Sequence, residues 1–399
     1  MSSGHQPGPR TAATGGTVGG LGEPGILRIL NRRFADVPAA GDWPEGTVGP
    51  GDDAAVVAAP DGRFVISTDA MAQDRDFRLA WPAASCGTVS GGVAGRAGGQ
   101  GHGFTGGYST GWKAAAQNLS DINAMGAEAT GLLLALTMPR TTELAWIDGL
   151  AAGIAGAVRY LGAHRCRIVG GDLGSDDRIT LAVTATGDLD GRPAVRRTMM
   201  PPVPARDPLD LVLCGRAGWA AAGLAVLDTA RDELLDRLLE AERAEPARGR
   251  TPGVRRLAAL AAAAQLRPRP VLGSGRCAAD AGALAMMDVS DGVAKDAGRL
   301  AAANGRRVDL DPEWVRSEAA ALAPLARALD RDARDWVATG GEDYGLLAVL
   351  PADAPPPHGF RRIGRLVPAE EDGGRADSMA VGPDPDPGQG GWDHFSRGD

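Results

Sequence analysis

The sequence lacks the features that mark several common classes of protein. Its four cysteines, at positions 86, 166, 214 and 277, lie far apart and form no CxxC pair, so we expect neither a disulfide framework nor a zinc site. No run of 18 apolar residues occurs, which argues against a membrane-spanning helix. The N-terminus has no basic start followed by an apolar stretch, so we expect no secretory signal. These absences together predict a cytoplasmic protein.

Positive charge is also scarce, and lysine is almost absent. The formal net charge is −8, and an acidic balance argues against nonspecific binding to nucleic acid or to an anionic membrane. Only two of the 42 basic residues are lysines, Lys113 and Lys295, so a catalytic lysine would have to be one of these. The sequence also lacks Gly-x-x-x-x-Gly-Lys-Ser/Thr, which excludes a P-loop kinase.

What the chain does contain is enough apolar sequence for two domains. Apolar residues make up 44% of 399 residues, and a domain usually takes about 100–200 residues. Four prolines between Pro201 and Pro208 interrupt the alternation of strand and helix patterns and mark a boundary. The predicted fold class is α/β, of the two-domain α+β kind. The predicted segments are a disordered tail at 1–24, an N-terminal mixed-sheet domain at 25–198 with a flexible glycine-rich insertion at 83–111, a C-terminal α/β domain at 199–380, and a tail at 381–399.

Hydrophobic periodicity predicts the individual elements. Helical spacing predicts helices, and short apolar runs bounded by glycine, proline or aspartate predict strands. In the N-terminal half these are a hairpin of 54–58 and 63–67, helices at 25–37, 113–125 and 141–161, and strands at 130–138, 167–169 and 179–186. In the C-terminal half they are strands at 209–214, 284–288, 307–310 and 345–350, helices at 219–228, 292–303 and 315–330, a charged helical region at 231–265, and an irregular tail from 352.

Six dispersed segments place an acidic residue beside glycine, serine or threonine, several of them directly after an apolar strand pattern. Any one segment is explained by turns and helix caps, which use the same residue types. All six together indicate more, because α/β folds bind ligands at the carboxyl ends of strands. Converging carboxylates repel one another unless a cation lies between them, and Mg²⁺ in phosphoryl-transfer sites is held by carboxylates and substrate phosphates. The segments are 51–53, 67–69, 118–121, 170–172, 288–292 and 340–343.

These segments resemble the thiamine-monophosphate kinase family, which belongs to the aminoimidazole-ribonucleotide-synthetase-like superfamily. Eight motifs match in order from about residue 25 to the C-terminus, and the last two separate this family from its superfamily relatives. The motifs are Gly-Pro-Gly-Asp-Asp-Ala-Ala-Val (49–56), Ile-Ser-Thr-Asp (66–69), Lys-Ala-Ala-Ala-Gln-Asn-Leu-Ser-Asp-Ile-Asn-Ala-Met-Gly-Ala (113–127), Gly-Gly-Asp (170–172), Ala-Ala-Gly-Leu-Ala-Val-Leu (221–227), Asp-Val-Ser-Asp-Gly (288–292), Gly-Gly-Glu-Asp-Tyr (340–344) and Gly-Trp-Asp-His-Phe (391–395).

The resemblance implies transfer of the ATP γ-phosphate to thiamine monophosphate, giving thiamine diphosphate, with ATP as co-substrate and several Mg²⁺ ions. It also implies a homodimer formed through the N-terminal domains, with a site between the two domains of each chain. In the roles that it implies, Asp69, Asp121 and Arg197 are catalytic; the Mg²⁺ ligands are Asp53, Ser67, Thr68, Asp69, Asp121, Asp172, Asp288 and Asp291; the ATP contacts are Gly171, Asp172, Arg197 and Ser290; and the substrate contacts are Asp76, Glu342 and Trp392.

The sequence departs from the family pattern near the acceptor residues. Asp76 stands where the family usually has a histidine that touches substrate, Gly345 replaces the last glutamate of Gly-Gly-Glu-Asp-Tyr-Glu, and the stretch 83–111 is longer than usual. An aspartate repels a phosphate unless a metal lies between them. Superfamily enzymes that need a reactive terminal cysteine do not fit this sequence. The alternative that stays open is a nucleotide-binding paralogue with a different phosphate acceptor or no kinase activity.

Overall fold

The computed structural model describes residues 16–21, 23–34, 59–83, 106–204, 206–244, 252–369 and 379–381. Among these residues no helix is both long and apolar enough to cross a bilayer. The first half of the chain forms α1 (Val18–Leu21), α2 (Glu23–Phe34), β1 (Val65–Ala72), α3 (Gly107–Ala124), β2 (Glu128–Met138), α4 (Leu144–Tyr160), β3 (Arg167–Ser175) and β4 (Thr180–Asp188).

The four strands of the first half form one mixed sheet in the order β1-β4-β2-β3. β4 pairs antiparallel with both β1 and β2, whereas β2 and β3 run parallel. Side chains alternate between the two faces of a strand, and the inner face buries Leu132, Leu134 and Val183 against α3 and α4. The outer face of the same sheet exposes 62% of Ile66 and 43% of Leu133. One side of this sheet is therefore a packed core, and the other exposes large apolar side chains among the described residues.

Glycines allow α3 and α4 to pack against each other at close range. A Cβ atom at Gly107 would lie 1.9 Å from the carbonyl oxygen of Trp146, and one at Gly111 would lie 2.0 Å from that of Leu150. These glycines belong to the helix, which begins six residues before the predicted start at Lys113. The predicted flexible insertion at 83–111 is therefore wrong for 107–111, which belong to helix α3 and pack against α4. Residues 84–105 lie outside the described residues.

The second half of the chain forms a larger sheet in the order β10-β7-β9-β5-β8-β6, in which every pairing is antiparallel. Its elements are β5 (Leu209–Cys214), α5 (Trp219–Asp228), α6 (Arg231–Ala244), α7 (Val254–Leu266), α8 (Ser274–Asp280), β6 (Ala285–Asp288), α9 (Val293–Ala302), β7 (Arg306–Leu310), α10 (Pro312–Ala320), α11 (Ala323–Ala328), α12 (Ala333–Thr339), β8 (Leu346–Pro351), β9 (Phe360–Pro368) and β10 (Met379–Val381).

Strand β5 is buried on both faces, and one of those faces contacts the first half of the chain. Leu211 and Leu213 belong to the main C-terminal core. Val212 and Cys214 instead pack in a cluster that includes Ala124, the last residue of α3. Helix α3 therefore lies between the two sheets and carries residues of the 113–127 motif to their junction. The division of the chain at 198/199 stays a prediction, with which the two sheets are compatible.

The structure corrects several of the predicted elements. Ser67 and Asp69 lie inside β1, and Asp172 lies inside β3, rather than after strands. The region 231–265 contains two helices, and 312–328 contains two more where one was expected. β9 crosses the middle of the second sheet in what was predicted to be an irregular tail. The predicted strand at 54–58 lies outside the described residues.

Candidate active site

Three acidic residues from three different elements meet at the junction of the two halves. Asp69 lies on β1, Asp121 on α3, and Asp288 is the last residue of β6. The Ser67 hydroxyl donates to Oδ2 of Asp121 at 2.5 Å. The hydroxyl of the adjacent Ser120 donates to Oδ2 of Asp288 at 3.3 Å. The motif residues therefore join the first sheet, the helix and the second sheet at one point.

The electrostatics of this cluster show an excess of negative charge. Burial, followed by the negative charges of Asp121, Asp296 and Asp69, raises the pKa of Asp288 to about 8. Burial also raises the pKa of Asp121, while the Ser67 hydroxyl and the Arg197 guanidinium act to lower it. A raised carboxyl pKa means that the charged form lacks sufficient solvation or positive partners. Without a metal ion, these carboxyls therefore hold their protons to higher pH than exposed carboxyls do.

The donor set fits a hard divalent cation. Carboxylate and hydroxyl oxygens are the ligands that Mg²⁺ prefers, and it usually completes its shell with water and substrate phosphates. The residues that could hold it here are Ser67, Asp69, Asp121 and Asp288. Across the described ranges, no three histidine, cysteine or acidic side chains are already arranged as a metal site. Asp53, which the sequence predicts as a ligand, lies outside the described residues.

Arg197 is the cation that acts on this cluster. Its backbone is held by Asn304, whose Nδ2 donates to the Arg197 carbonyl at 2.8 Å and whose Oδ1 accepts from Met199 N at 2.8 Å. The side chain is exposed, yet its positive charge acts against the burial that raises the pKa of Asp121 and of Asp288. A guanidinium at an exposed position beside buried carboxylates is suited to receiving a phosphate group.

Asp291, predicted as a ligand of a peripheral ion, already has two cationic partners. Its Oδ2 lies 2.6 Å from Arg299 Nη1 and 3.3 Å from Lys295 Nζ. A metal at Asp291 would have to compete with both. Its neighbour Ser290 contributes through the backbone, since its carbonyl accepts from Glu342 N at 2.8 Å. The 288–292 segment is thereby fixed against the loop that carries Glu342.

Sheet register separates Asp172 and Thr68 from this cluster. Asp69 is paired through Val183 with Leu134, which faces Gly171 on β3. Asp172, the next residue, therefore points to the opposite, outer face. The Thr68 hydroxyl likewise donates to Val183 O and accepts from Thr184 Oγ1. Gly171 has a structural requirement of its own, because a Cβ there would lie 2.2 Å from Leu134 O.

A second group of polar residues surrounds Glu342. Its carboxylate forms an ion pair with the ammonium of Lys113 and accepts a hydrogen bond from Gln265 Nε2. Lys113 also donates to the backbone carbonyl of Asp76 at 3.1 Å. Asp76 uses its own carboxylate to accept from Ala72 N at 2.8 Å, which stabilises the turn after β1. Glu342 and Asp76, both predicted to contact substrate, are thus brought together by a lysine.

A small cleft of about 10 Å³ opens beside this group. Asp76, Lys113 and Gln265 line its polar side, and Phe77, Trp81 and Leu266 are among its apolar lining residues. Sequence reasoning missed Gln265 and Trp81, and it assigned Lys113 no contact in the site. The usable signal was the rarity of lysine combined with its position in a helix that buries nearly every residue. Trp392 lies outside the described residues.

Comparison with known proteins assigns the chain to a family. Residues 51–189 match the family model "AIR synthase related protein, N-terminal domain". The chain is 36% identical over 320 residues to the thiamine-monophosphate kinase of Mycobacterium tuberculosis H37Rv, covering 80% of this chain and 79% of that relative. It is 32% identical over 365 residues to the enzyme of that name from Corynebacterium glutamicum, covering 90% of each.

A solved structure agrees with these relatives. The crystal structure of thiamine-monophosphate kinase from Stenotrophomonas maltophilia K279a superposes with a TM-score of 0.59 at 25% identity, covering 86% of this chain and 93% of that one. The chain therefore belongs to the thiamine-monophosphate kinase family, as its sequence motifs predicted.

Proposed function

We propose that this protein transfers the γ-phosphate of ATP directly to the phosphate of thiamine monophosphate. The bond between Pγ and the β–γ bridging oxygen breaks, and a bond forms between Pγ and a phosphate oxygen of the acceptor, giving ADP and thiamine diphosphate. The observation that carries the proposal is the cluster of Asp69, Asp121 and Asp288 beside Arg197. Family membership supports the identity of both substrates.

The reaction makes modest chemical demands on the protein. The attacking phosphate oxygen is already ionised at neutral pH, so no general base is required, and positioning with charge stabilisation supplies most of the catalysis. Bound Mg²⁺ would neutralise the phosphate charges, and Asp69, Asp121 and Asp288 would hold it. The exposed guanidinium of Arg197 would bind the γ-phosphate through its fork of donors. By resemblance, Gly171, Asp172 and Ser290 would contribute to ATP binding.

The outer face of the first sheet supports a homodimer. Ile66 and Leu133 expose large apolar side chains on this face, and burying them against a second copy would favour association. A second copy covering the face would also bury Asp172 and Thr68 at or near the subunit boundary. Within this proposal the protein acts in the cytoplasm, where ATP is available.

A second candidate function differs only in the acceptor. Asp76 lines the cleft beside Glu342 in the place of the family's usual histidine, and its charge opposes a phosphate acceptor. A paralogue that phosphorylates another acceptor, or that binds nucleotide without transferring phosphate, would keep the same carboxylate cluster.

Product analysis separates the candidates. Purified protein is incubated with ATP, Mg²⁺ and one acceptor at a time, either thiamine monophosphate, thiamine or ribose 5-phosphate, and the products are separated by chromatography. The kinase proposal expects thiamine diphosphate and ADP in equal amounts from thiamine monophosphate alone. ADP formation with another acceptor, or ATP binding without any turnover, would favour the second candidate.

A further inference from the structure

Lys113 is a buried charge within helix α3. Only 4% of its surface is exposed, and its neighbours Ala114, Ala115 and Ala116 are fully buried. Burying an ammonium group is unfavourable unless it is paired and hydrogen-bonded. The geometry at Lys113 therefore requires its two partners, the Glu342 carboxylate and the Asp76 carbonyl.

Those two partners belong to different parts of the fold. Asp76 lies in the turn that follows β1, and Glu342 lies in the loop between α12 and β8 of the second half. The ammonium thus connects the turn after β1 to the loop before β8.

The Glu342 backbone needs such support. Its φ is 67°, and Tyr344 has a φ of 52°, so two non-glycine residues adopt the left-handed region within three positions. That conformation is unfavourable and persists where the surroundings hold it. Here the loop donates from Glu342 N to Ser290 O at 2.8 Å and from Tyr344 N to Val289 O at 3.0 Å. The carboxylate is then held by Lys113 on one oxygen and by Gln265 on the other.

We infer that Lys113 and Gln265 are positioning residues for the acceptor, which act by fixing the Glu342 carboxylate that both of them contact. Both residues line the cleft themselves. Because the Glu342 carboxylate is engaged on both oxygens, it presents to an acceptor a carboxylate of fixed orientation and partly neutralised charge. The inference rests on the proposed function, in that the acceptor contacted by Glu342 is thiamine monophosphate.

The positioning role predicts that substitutions change KM for thiamine monophosphate and leave KM for ATP nearly unchanged. Lys113→Met removes the charge and keeps the length of the side chain, so Glu342 loses its anchor. We expect KM for thiamine monophosphate to rise about tenfold, which corresponds to the loss of one charged hydrogen bond, while KM for ATP stays within about twofold. Gln265→Leu removes the other donor without leaving a buried charge, and we expect the same pattern with a smaller rise. Arg237→Met, at an ion pair on the exposed face of α6, is the matched control and should change neither constant.

A double-mutant cycle shows whether Lys113 acts through Glu342. If it does, the Lys113→Met/Glu342→Gln protein should have a KM for thiamine monophosphate no higher than the worse of the two single variants. A KM in the double variant that equals the product of the two single-variant fold-changes would overturn the inference. So would an unchanged KM for thiamine monophosphate in Lys113→Met, or an equal rise in both KM values together with a lowered Tm. If Lys113→Met does not fold, Gln265→Leu decides alone, and an unchanged KM for thiamine monophosphate there would overturn the inference.

The wild-type protein separates this inference from the proposed function. Its thiamine monophosphate binding is measured by calorimetry beside its kinase activity. Binding without turnover would overturn the kinase proposal. The same variants would then be compared by Kd for thiamine monophosphate, with a rise in Kd expected and an unchanged Kd contradicting the inference. A wild-type protein that neither binds nor phosphorylates thiamine monophosphate would overturn both.

Discussion

The hydroxyl of Ser67 donates a hydrogen bond to Oδ2 of Asp121 at 2.5 Å, which joins strand β1 to helix α3 beneath the carboxylate cluster. This bond lowers the pKa of Asp121 against the effect of burial. Thr68, the next residue, places its hydroxyl on the other face of the sheet, where it bonds to Val183 O and Thr184 Oγ1. The family resemblance implies that both hydroxyls bind Mg²⁺, but in the structure they lie on opposite faces of the sheet.

This difference predicts different effects of removing the two hydroxyls. Ser67→Ala removes a partner of Asp121 and a candidate Mg²⁺ ligand, so we expect the Mg²⁺ concentration that gives half-maximal activity to rise several-fold, as loss of about 1 kcal/mol implies. Thr68→Val keeps the shape of its side chain on the outer face, and we expect less than a twofold change. Mg²⁺ titration of the initial rate measures both. Equal effects of the two substitutions would contradict the placement of the Thr68 hydroxyl on the outer face, away from the metal.

Asp76 is expected to weaken acceptor binding. Its negative charge lies at the cleft where the family usually has a histidine, so Asp76→His should lower KM for thiamine monophosphate several-fold. The substitution also removes the carboxylate that accepts from Ala72 N, so some loss of stability should accompany the gain. Steady-state kinetics with varied acceptor, together with a Tm measurement, separates these effects. An unchanged KM would mean that the acceptor phosphate does not approach this position.

Asp343 should make stability depend on pH. It is half-buried, accepts from Gly218 N at 2.6 Å and Ala220 N at 2.9 Å at the start of α5, and loss of solvation raises its pKa from 3.8 to about 7. The folded state keeps a proton that the unfolded state releases, so the free energy of unfolding falls as pH rises from about 4 to 7. The contribution is at most about 4 kcal/mol.

Asp343→Asn removes this titration. The variant should therefore be destabilised relative to wild type by less at pH 8 than at pH 5. By pH 8 the wild-type protein has lost the free energy of unfolding that comes from protonated Asp343, whereas the variant never had it. Urea unfolding at the two pH values measures the difference, and comparison with wild type cancels the contributions of other buried carboxyls such as Asp296, whose pKa burial raises to about 6. An equal destabilisation at both values would contradict the assignment.

The outer face of the first sheet should mediate dimer formation. Ile66→Glu places a charge in the exposed apolar surface of β1 and should shift the protein from dimer to monomer in sedimentation velocity. Leu239→Glu, at a position 38% exposed on α6, introduces the same charge on a different surface and should leave the dimer intact. A wild-type protein that sediments as a monomer, or equal dissociation by both variants, would contradict this assignment of the interface.

Local patterns in the sequence predicted the two α/β halves and six acidic segments beside glycine, serine or threonine. The roles of Asp121 and Asp288 and the mixed first sheet were predicted from the resemblance to the family. Strand β9 was missed because prolines precede it and because Arg361, Arg362 and Arg365 make it read as a solvated tail; its pairing with β5 and β7 is a tertiary effect.

Other features depend on contacts between distant parts of the chain. Gly107 and Gly111 read as loop glycines because their requirement comes from the backbone of α4, which no local pattern reveals. The role of Lys113 depends on Glu342, far away in the sequence. The separation of Asp172 from Asp69 follows from strand register, which was unknown until the pairing of β2, β3 and β4 was seen.

The account depends most on Asp121, where the sheet, the helix and the proposed metal meet. The most direct test is the initial rate of thiamine diphosphate formation from ATP and thiamine monophosphate in saturating Mg²⁺, with wild type, Asp121→Asn and the exposed control Asp236→Asn compared side by side. The account predicts equal amounts of thiamine diphosphate and ADP from wild type and the control, and a rate at least about 100-fold lower for Asp121→Asn with an unchanged fold. A wild-type protein that forms no thiamine diphosphate, or an Asp121→Asn variant that keeps the wild-type rate, would contradict it.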